Sequence, residues 1–226
     1  MIFLSHILND KTPVYGNHGS LLLNRIKRIE NGDSSNNTEL SFHSHFGTHV
    51  DAPYHFDPKG QTLENYPASF WRCNNPYLID YKASVEEIIG LEQIGVLLNT
   101  VPYDCDFLLL RTGFENYRRP GLDSKYIYHG PGLSPEVGLW LREYRQLKMI
   151  GFDFISLTSY ANRELGRRAH TAFLAKQEKH GAGNPVLIVE DMHLSELNKL
   201  PKTIWVIPIR FEKADGSPVT VIVESE

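Results

Sequence analysis

Residues 45–55 read His45-Phe46-Gly47-Thr48-His49-Val50-Asp51-Ala52-Pro53-Tyr54-His55. At helical spacing His45 and His49 would share a face, but Gly47, Pro53 and the β-branched Thr48 and Val50 oppose a helix. The stretch is expected to be a bent strand or loop. His49 and Asp51 then lie on one side, and a turn at Gly47 swings His45 back beside them. Gly47 permits a backbone geometry that a Cβ would block, and Pro53 stiffens the exit. Three imidazoles and a carboxylate within eleven residues form the donor set of a borderline-soft divalent cation. A chain of this size does not need them in order to fold. His55 has two available roles. It is a fourth ligand, or it stays free as a proton carrier, because imidazole titrates near neutrality.

Outward from this stretch, Leu40 to Phe46 alternates apolar and polar and would deliver the histidines at a strand end. The polar run 27–41 reads as a hairpin tip or loop. Strands are expected at 2–7, 76–81, 106–111, 148–154 and 185–190, and a hairpin of 203–211 with 218–224 turns through 214–217. Ser84-Val85-Glu86-Glu87 reads as a capping box opening a short helix that carries Val85, Ile88, Ile89 and Leu91. Ser134-Pro135-Glu136 opens another, continued by Val137, Leu139, Trp140, Leu141 and Tyr144, and 164–179 is a third. Strands and helices do not alternate regularly. The expected fold is therefore an α/β domain over residues 1–226 with a mixed or barrel-like sheet and helices packed beside it.

The chain has 226 residues, 41% of them hydrophobic, enough to bury a core. A net charge of −4 without a basic stripe argues against a nucleic-acid partner. Arg163, Arg167 and Arg168 read as a solvated helix face. No apolar run is long enough for a membrane helix, and the opening Met1–His6 turns polar too early for a secretion signal. Cys73 and Cys105 form no Cys-x-x-Cys pair, which fits a reducing cytoplasm. His6, His18, His43, His129, His180 and His193 read as ordinary polar residues. Three ligands from one segment leave coordination positions for a second. His170 on the 164–179 helix and Glu190 at the end of the Val186–Val189 run are its candidates.

The stretch matches every fixed position of His-x-Gly-Thr-His-x-Asp-x-Pro-x-His, and the chain thereby resembles the cyclase/kynurenine formamidase family of metal-dependent hydrolases. The resemblance extends to Leu4-Ser5-His6 with Thr12–Gly16, to Leu110–Phe114, Gly132–Glu136 and Ile150–Ser156, and to His170 with Val189–Met192. It departs in a longer His170–Glu190 gap, with Lys176–Asn184 as an apparent insertion. The resemblance implies the swivelling β/β/α fold, usually as a homodimer or tetramer. It implies two divalent cations, zinc first and manganese second. His45, His49 and Asp51 would hold one, Asp51 would bridge to a second held by His170 and Glu190, His55 would carry the proton, and Tyr15 would lie against the substrate. The implied activity is hydrolysis of a small amide such as an N-formylkynurenine-like aryl formamide in tryptophan catabolism. Ring opening of a cyclic amide or lactone, polyketide-type cyclisation, or metal and ligand binding without turnover are the other readings.

Overall fold

The computed structural model describes residues 1–121, 123–143, 147–176 and 183–224. In chain order the strands are β1 Ile2–Phe3, β2 Leu22–Lys27, β3 Asn37–Ser41, β4 His49–Asp51, β5 Arg72–Cys73, β6 Pro76–Asp80, β7 Ile88–Ile89, β8 Phe107–Arg111, β9 Gly132–Leu133, β10 Met149–Phe152, β11 Leu187–Glu190, β12 Ile204–Pro208 and β13 Gly216–Val223. The helices are α1 Leu91–Leu98, α2 Asp123–Tyr128, α3 Pro135–Arg142 and α4 Arg163–Leu174.

The continuous apolar runs become strands buried on both faces, as parallel strands must be. Strands β6, β8, β10 and β11 pair in parallel, and β11, β4, β13, β12 and β5 continue the sheet in antiparallel fashion. The two-residue period of a strand divides the core. Leu108, Leu110, Ile150, Phe152 and Ile188 face a layer that includes Val137 and Leu141 of α3 and Ala169 and Phe173 of α4. Phe107, Leu109, Met149, Leu187 and Val189 point the other way and meet Val50, Val206, Val219 and Val221. Residues from opposite ends of the strand order thus share one interior, which gives the mixed sheet the barrel-like curl expected.

Strand β4 is three residues long but sits between β11 and β13, with His49 opposite Glu190 and Pro218, and Asp51 opposite Ile188 and Gly216. The short stretch is therefore an interior strand held on both edges. Strands β2 and β3 form a separate ribbon with Leu22, Ile26 and Leu40 exposed; of the 27–41 run expected as tip or loop, 28–36 is the tip and 37–41 is strand β3.

Several elements differ from expectation: the strand expected at 2–7 covers only Ile2–Phe3, and the helix expected over 164–179 ends at Leu174. Half of the capping box at Ser84 forms, the Ser84 amide donating to Glu87 Oε2 at 2.6 Å, but no helix follows. Glu86 has a φ of +58°, and Ile88 and Ile89 pair with Gly132 and Leu133, so the helix begins only after Gly90. The 203–224 hairpin forms, but β13 starts at Gly216 because its first three residues pair with β4 rather than with β12. Helix α2 went unrecognised, with only six residues and no capping signal. Tyr144, His180, the 177–179 end of the third expected helix and most of the apparent insertion lie outside the described residues.

The buried Leu109 occupies the shared interior. Leu109→Ala is expected to lower unfolding stability by about 2–5 kcal/mol, measured by urea denaturation. A loss well under 1 kcal/mol would show that this interior tolerates a cavity.

Candidate metal centre

The turn that delivers the site forms at Gly47, whose φ is +60° and whose added Cβ would lie 2.2 Å from Leu8 Cδ2. Its carbonyl accepts from His49 Nδ1 at 2.7 Å, which leaves Nε2 of that ring facing inward as a lone-pair donor. Thr48 secures the turn. Its hydroxyl donates to the Asp191 carbonyl at 2.5 Å and accepts from the His6 amide at 3.0 Å, tying three distant segments together. His170, on α4, repeats the device: Nδ1 lies 2.9 Å from the Gly166 carbonyl and Nε2 points at the same centre.

Two carboxylates meet these imidazoles. Asp51 and Glu190 are 1% and 3% exposed. His49 Nε2 lies 3.4 Å from Asp51 Oδ1 and 3.4 Å from Glu190 Oε2. His170 Nε2 lies 3.6 Å from Asp51 Oδ2 and 3.5 Å from Glu190 Oε1. These separations exceed those of a charge-assisted hydrogen bond. They match the edge of a coordination shell, because donors bound tetrahedrally at zinc distances lie roughly 3.4 Å apart. Glu190 Oε1 is further held by the Leu157 amide at 2.6 Å and the Ser156 hydroxyl at 3.2 Å. The donor set, its spacing and its oriented rings fit a divalent cation.

His45 completes the group differently. Its Nδ1 lies 2.7 Å from Asp51 Oδ1 and its Nε2 lies 2.9 Å from Asp215 Oδ2. Its ring packs against that of His55, centroids 3.9 Å apart and planes tilted by 30°, and His55 Nδ1 stands 3.6 Å from Asp215 Oδ2. The structure thus brings His45, His49, Asp51, His55, His170 and Glu190 to one cavity of about 280 Å³. Two groups of donors could each hold a cation, His49 with Asp51 and Glu190, and His45 with Asp51 and His55. Asp51 is common to both, whereas His49 stands with Glu190 and His55 stands with His45, a different grouping from the one the resemblance implies.

Electrostatics follow from packing charges of one sign. Burial opposes ionisation of Asp51, but His45, His170 and His49 outweigh it and hold its carboxyl well below the usual range. Burial likewise disfavours the charged His170 ring, yet Asp51 and Glu190 raise it to about 10. His45 rises to about 9, because Asp51 and Asp215 overcome its burial. His55 moves the other way: burial pushes it below the ordinary imidazole range, and neighbouring His45 and His170 add to that. The His45 hydrogen bond holds Asp215 down at about 2 despite its partial burial.

Asp215, Asp191, Arg118 and Tyr126 were not singled out in the sequence. Asp191 follows Glu190 with a φ of +55°. Arg118 grips its carboxylate through Nε at 2.8 Å and Nη2 at 3.0 Å, and Tyr126 donates to it at 2.6 Å. This clamp fixes the strand end that carries Glu190. Tyr15 lines the cavity, and its buried hydroxyl has no hydrogen-bond partner among the described residues. Of the histidines read as ordinary, His6 stacks on His193, His129 pairs with Glu86, and His18 and His43 are exposed. Cys73 and Cys105 are buried and free, and no helix among the described residues is long and apolar enough to cross a membrane.

The chain belongs to the putative cyclase family, whose model matches residues 2–158. It is 28% identical over 226 residues to cyclase-like protein 2 of Oryza sativa subsp. japonica, covering 97% of this chain and 77% of that protein. It is 26% identical over 226 residues to a kynurenine formamidase of Geobacillus thermodenitrificans, covering 96% of this chain and 94% of that one. Among solved structures, isatin hydrolase A from Labrenzia aggregata is similar with a TM-score of 0.76 at 22% identity, covering 97% of this chain and 91% of its own. A potential metal-dependent hydrolase with cyclase activity is similar with a TM-score of 0.72 at 18% identity, covering 98% and 96%. These structures share the fold.

Gly216 faces His45, and an added Cβ would lie 2.4 Å from His45 Cε1. Gly216→Val is therefore expected to displace that ring. Bound divalent metal per chain, read by elemental analysis, should fall while the circular dichroism spectrum is kept. Wild-type metal content in a folded variant would remove His45 from the centre.

Proposed function

We propose that this chain is a metal-dependent hydrolase of small amides, acting by preference on N-formyl aryl amines of the N-formylkynurenine type. The carrying observation is the meeting of two buried carboxylates, Asp51 and Glu190, with the inward Nε2 atoms of His49 and His170 at coordination-shell spacing. The likeness to a kynurenine formamidase along nearly all of both chains supports the amide class. Asp51, His49, His170 and Glu190 would hold one cation, and Asp51 with His45 a second. Zinc suits this mixture of imidazole and carboxylate, and manganese also accepts it. Such cations, when bound, supply Lewis-acid polarisation of a carbonyl and hydroxide near neutral pH.

The chain's own side chains do the rest. His55 lies against the cluster but is less buried than His49 or His170, so it can reach both the reacting atoms and the cavity. It takes a proton from the attacking water and returns it to the departing amine nitrogen. Asp215 restrains its ring from the far side. Phe56 stacks on the His170 ring, centroids 4.6 Å apart, and with Ile155 and Tyr15 gives the cavity an apolar wall for an aryl group.

Metal-replete protein should release formate from an aryl formamide. Asp51→Asn should lose both activity and metal, whereas His55→Ala should lose activity, by about 10²–10⁴-fold for a general acid–base, and keep its metal. Turnover with no formate but a product heavier by one water from a cyclic amide or lactone would move the reaction to ring opening. Absence of turnover across open and cyclic amides would refute the hydrolase reading. Loss of metal from His55→Ala would make that residue a ligand.

A further inference from the structure

We propose that Arg163 and Arg167 form a carboxylate subsite at the mouth of the cavity, so that the preferred substrates are aryl amides bearing a carboxylate. The proposal rests on the amide-hydrolase reading. Residues 163, 167 and 170 fall at i, i+4 and i+7 of α4 and share one face of the helix. His170 occupies that face at the metal centre. The two arginines continue the stripe toward the helix N-terminus, displaced along the axis by about 4.5 and 10.5 Å at 1.5 Å per residue. Both line the same cavity as His170 and Tyr15, while Arg168 does not.

Their charges are unspent. The arginine ion pairs among the described residues are Arg28 with Glu30, Arg111 with Asp80 and Arg118 with Asp191. Arg142 donates instead to the carbonyls of Ala172 and Ala175. No acidic partner among the described residues lies within ion-pair distance of Arg163 or Arg167. Arg163 is nevertheless restrained, because its guanidinium lies 5.6 Å from the Tyr160 ring centroid. Tyr160 in turn meets Tyr15 edge-on, ring centroids 5.6 Å apart.

Tyr15 supplies the second observation. Its hydroxyl is buried in the cavity wall without a partner among the described residues, which is costly unless a ligand meets it. Tyr15 lines the cavity together with Glu190, Arg163 and Arg167, and its ring meets the same Tyr160 ring that the Arg163 guanidinium approaches. Burial holds its pKa up at about 12, so it remains a hydrogen-bond donor near neutrality. A ligand running from the centre toward the mouth meets a scissile group site, an orphan donor beside an apolar wall, and then two guanidinium forks. Guanidinium forks match carboxylate geometry through paired hydrogen bonds. All three arginines are exposed, as a solvated face requires, but only Arg163 and Arg167 line the cavity that His170 faces.

Metal-replete protein is to be assayed on 2- and 4-formamidobenzoate against formanilide, which lacks the carboxylate. Wild type should favour at least one carboxylated amide by about tenfold or more in kcat/KM, the effect of one good ion pair. The double variant R163Q/R167Q should bring that ratio close to one, chiefly through KM. Arg168→Gln should leave it unchanged. Binding of 4-aminobenzoate against aniline, followed calorimetrically in wild type and the double variant, gives a readout independent of turnover. Equal kcat/KM for both substrate classes in wild type, or a preference that survives the double substitution, would overturn the subsite. If no formamide is cleaved, the formamidase reading fails. Selective 4-aminobenzoate binding that is lost in the double variant would still uphold the subsite, and equal binding by both proteins would end it.

Discussion

Asp51 and Glu190 are buried together with no lysine or arginine paired to either among the described residues, and the surrounding structure answers that constraint. Taking an ion out of water costs on the order of several kcal/mol unless positive charge or donors repay it. The Leu157 amide and Ser156 hydroxyl meet part of the need at Glu190, and His45 meets part of it at Asp51. The rest falls to the centre that His49 and His170 face. Those rings donate their other nitrogen to backbone carbonyls, so they offer lone pairs inward at neutral charge. Without a cation the same geometry can only draw protons onto the imidazoles, which is why His170 stands near 10 and His45 near 9. Proton uptake and cation binding are then alternative ways to settle one electrostatic debt, and cation binding must release protons.

The register of β4 converts that constraint into a fold requirement. A one-residue slip of a strand exchanges its faces. In β4 such a slip would turn His49 and Asp51 away from the centre and drive Val50 into it. Pairing on both edges prevents this. Glu190 sits opposite His49 across β11, and Gly216 sits opposite Asp51 across β13. The second pairing also places Asp215 beside His45 and His55, and it admits only a very small residue at 216, because the His45 ring occupies the space of a Cβ there. The acid–imidazole geometry around Asp215 and the closure of the sheet are consequences of the same six backbone pairs.

This explains which parts were legible in the chain. The 45–55 stretch carries its own turn, strand and ligands, so its local reading needed no tertiary information. His170 and Glu190 could be named because a histidine on a helix face and an acid closing a β-branched run are each recognisable. Asp215 could not: it reads as a hairpin turn residue, and only the β4–β13 register brings it 170 positions back to His45. Arg118 and Tyr126 were equally hidden, since their partner Asp191 is defined by a left-handed backbone position that no pattern announces. The false helix at Ser84 has the same cause in reverse. A sound local capping signal lost to a tertiary pairing, Ile88 and Ile89 joining β9 as a strand instead.

The arginines of α4 sit at the boundary between these cases. Their i, i+4, i+7 relation to His170 was visible, but charged residues at helical spacing mostly mark a solvated face, and Arg168 fits that reading. What separates Arg163 and Arg167 from it is the ligand they share a face with. With His170 turned inward, helical geometry places residues 163 and 167 on the same side of α4, and both line the same cavity. A single rigid helix then supplies both a donor at the centre and the charge at the entrance. In the proposed subsite the spacing between centre and entrance is therefore set by one helix rather than by loops, the kind of rigid support that would hold a small carboxylated amide in register.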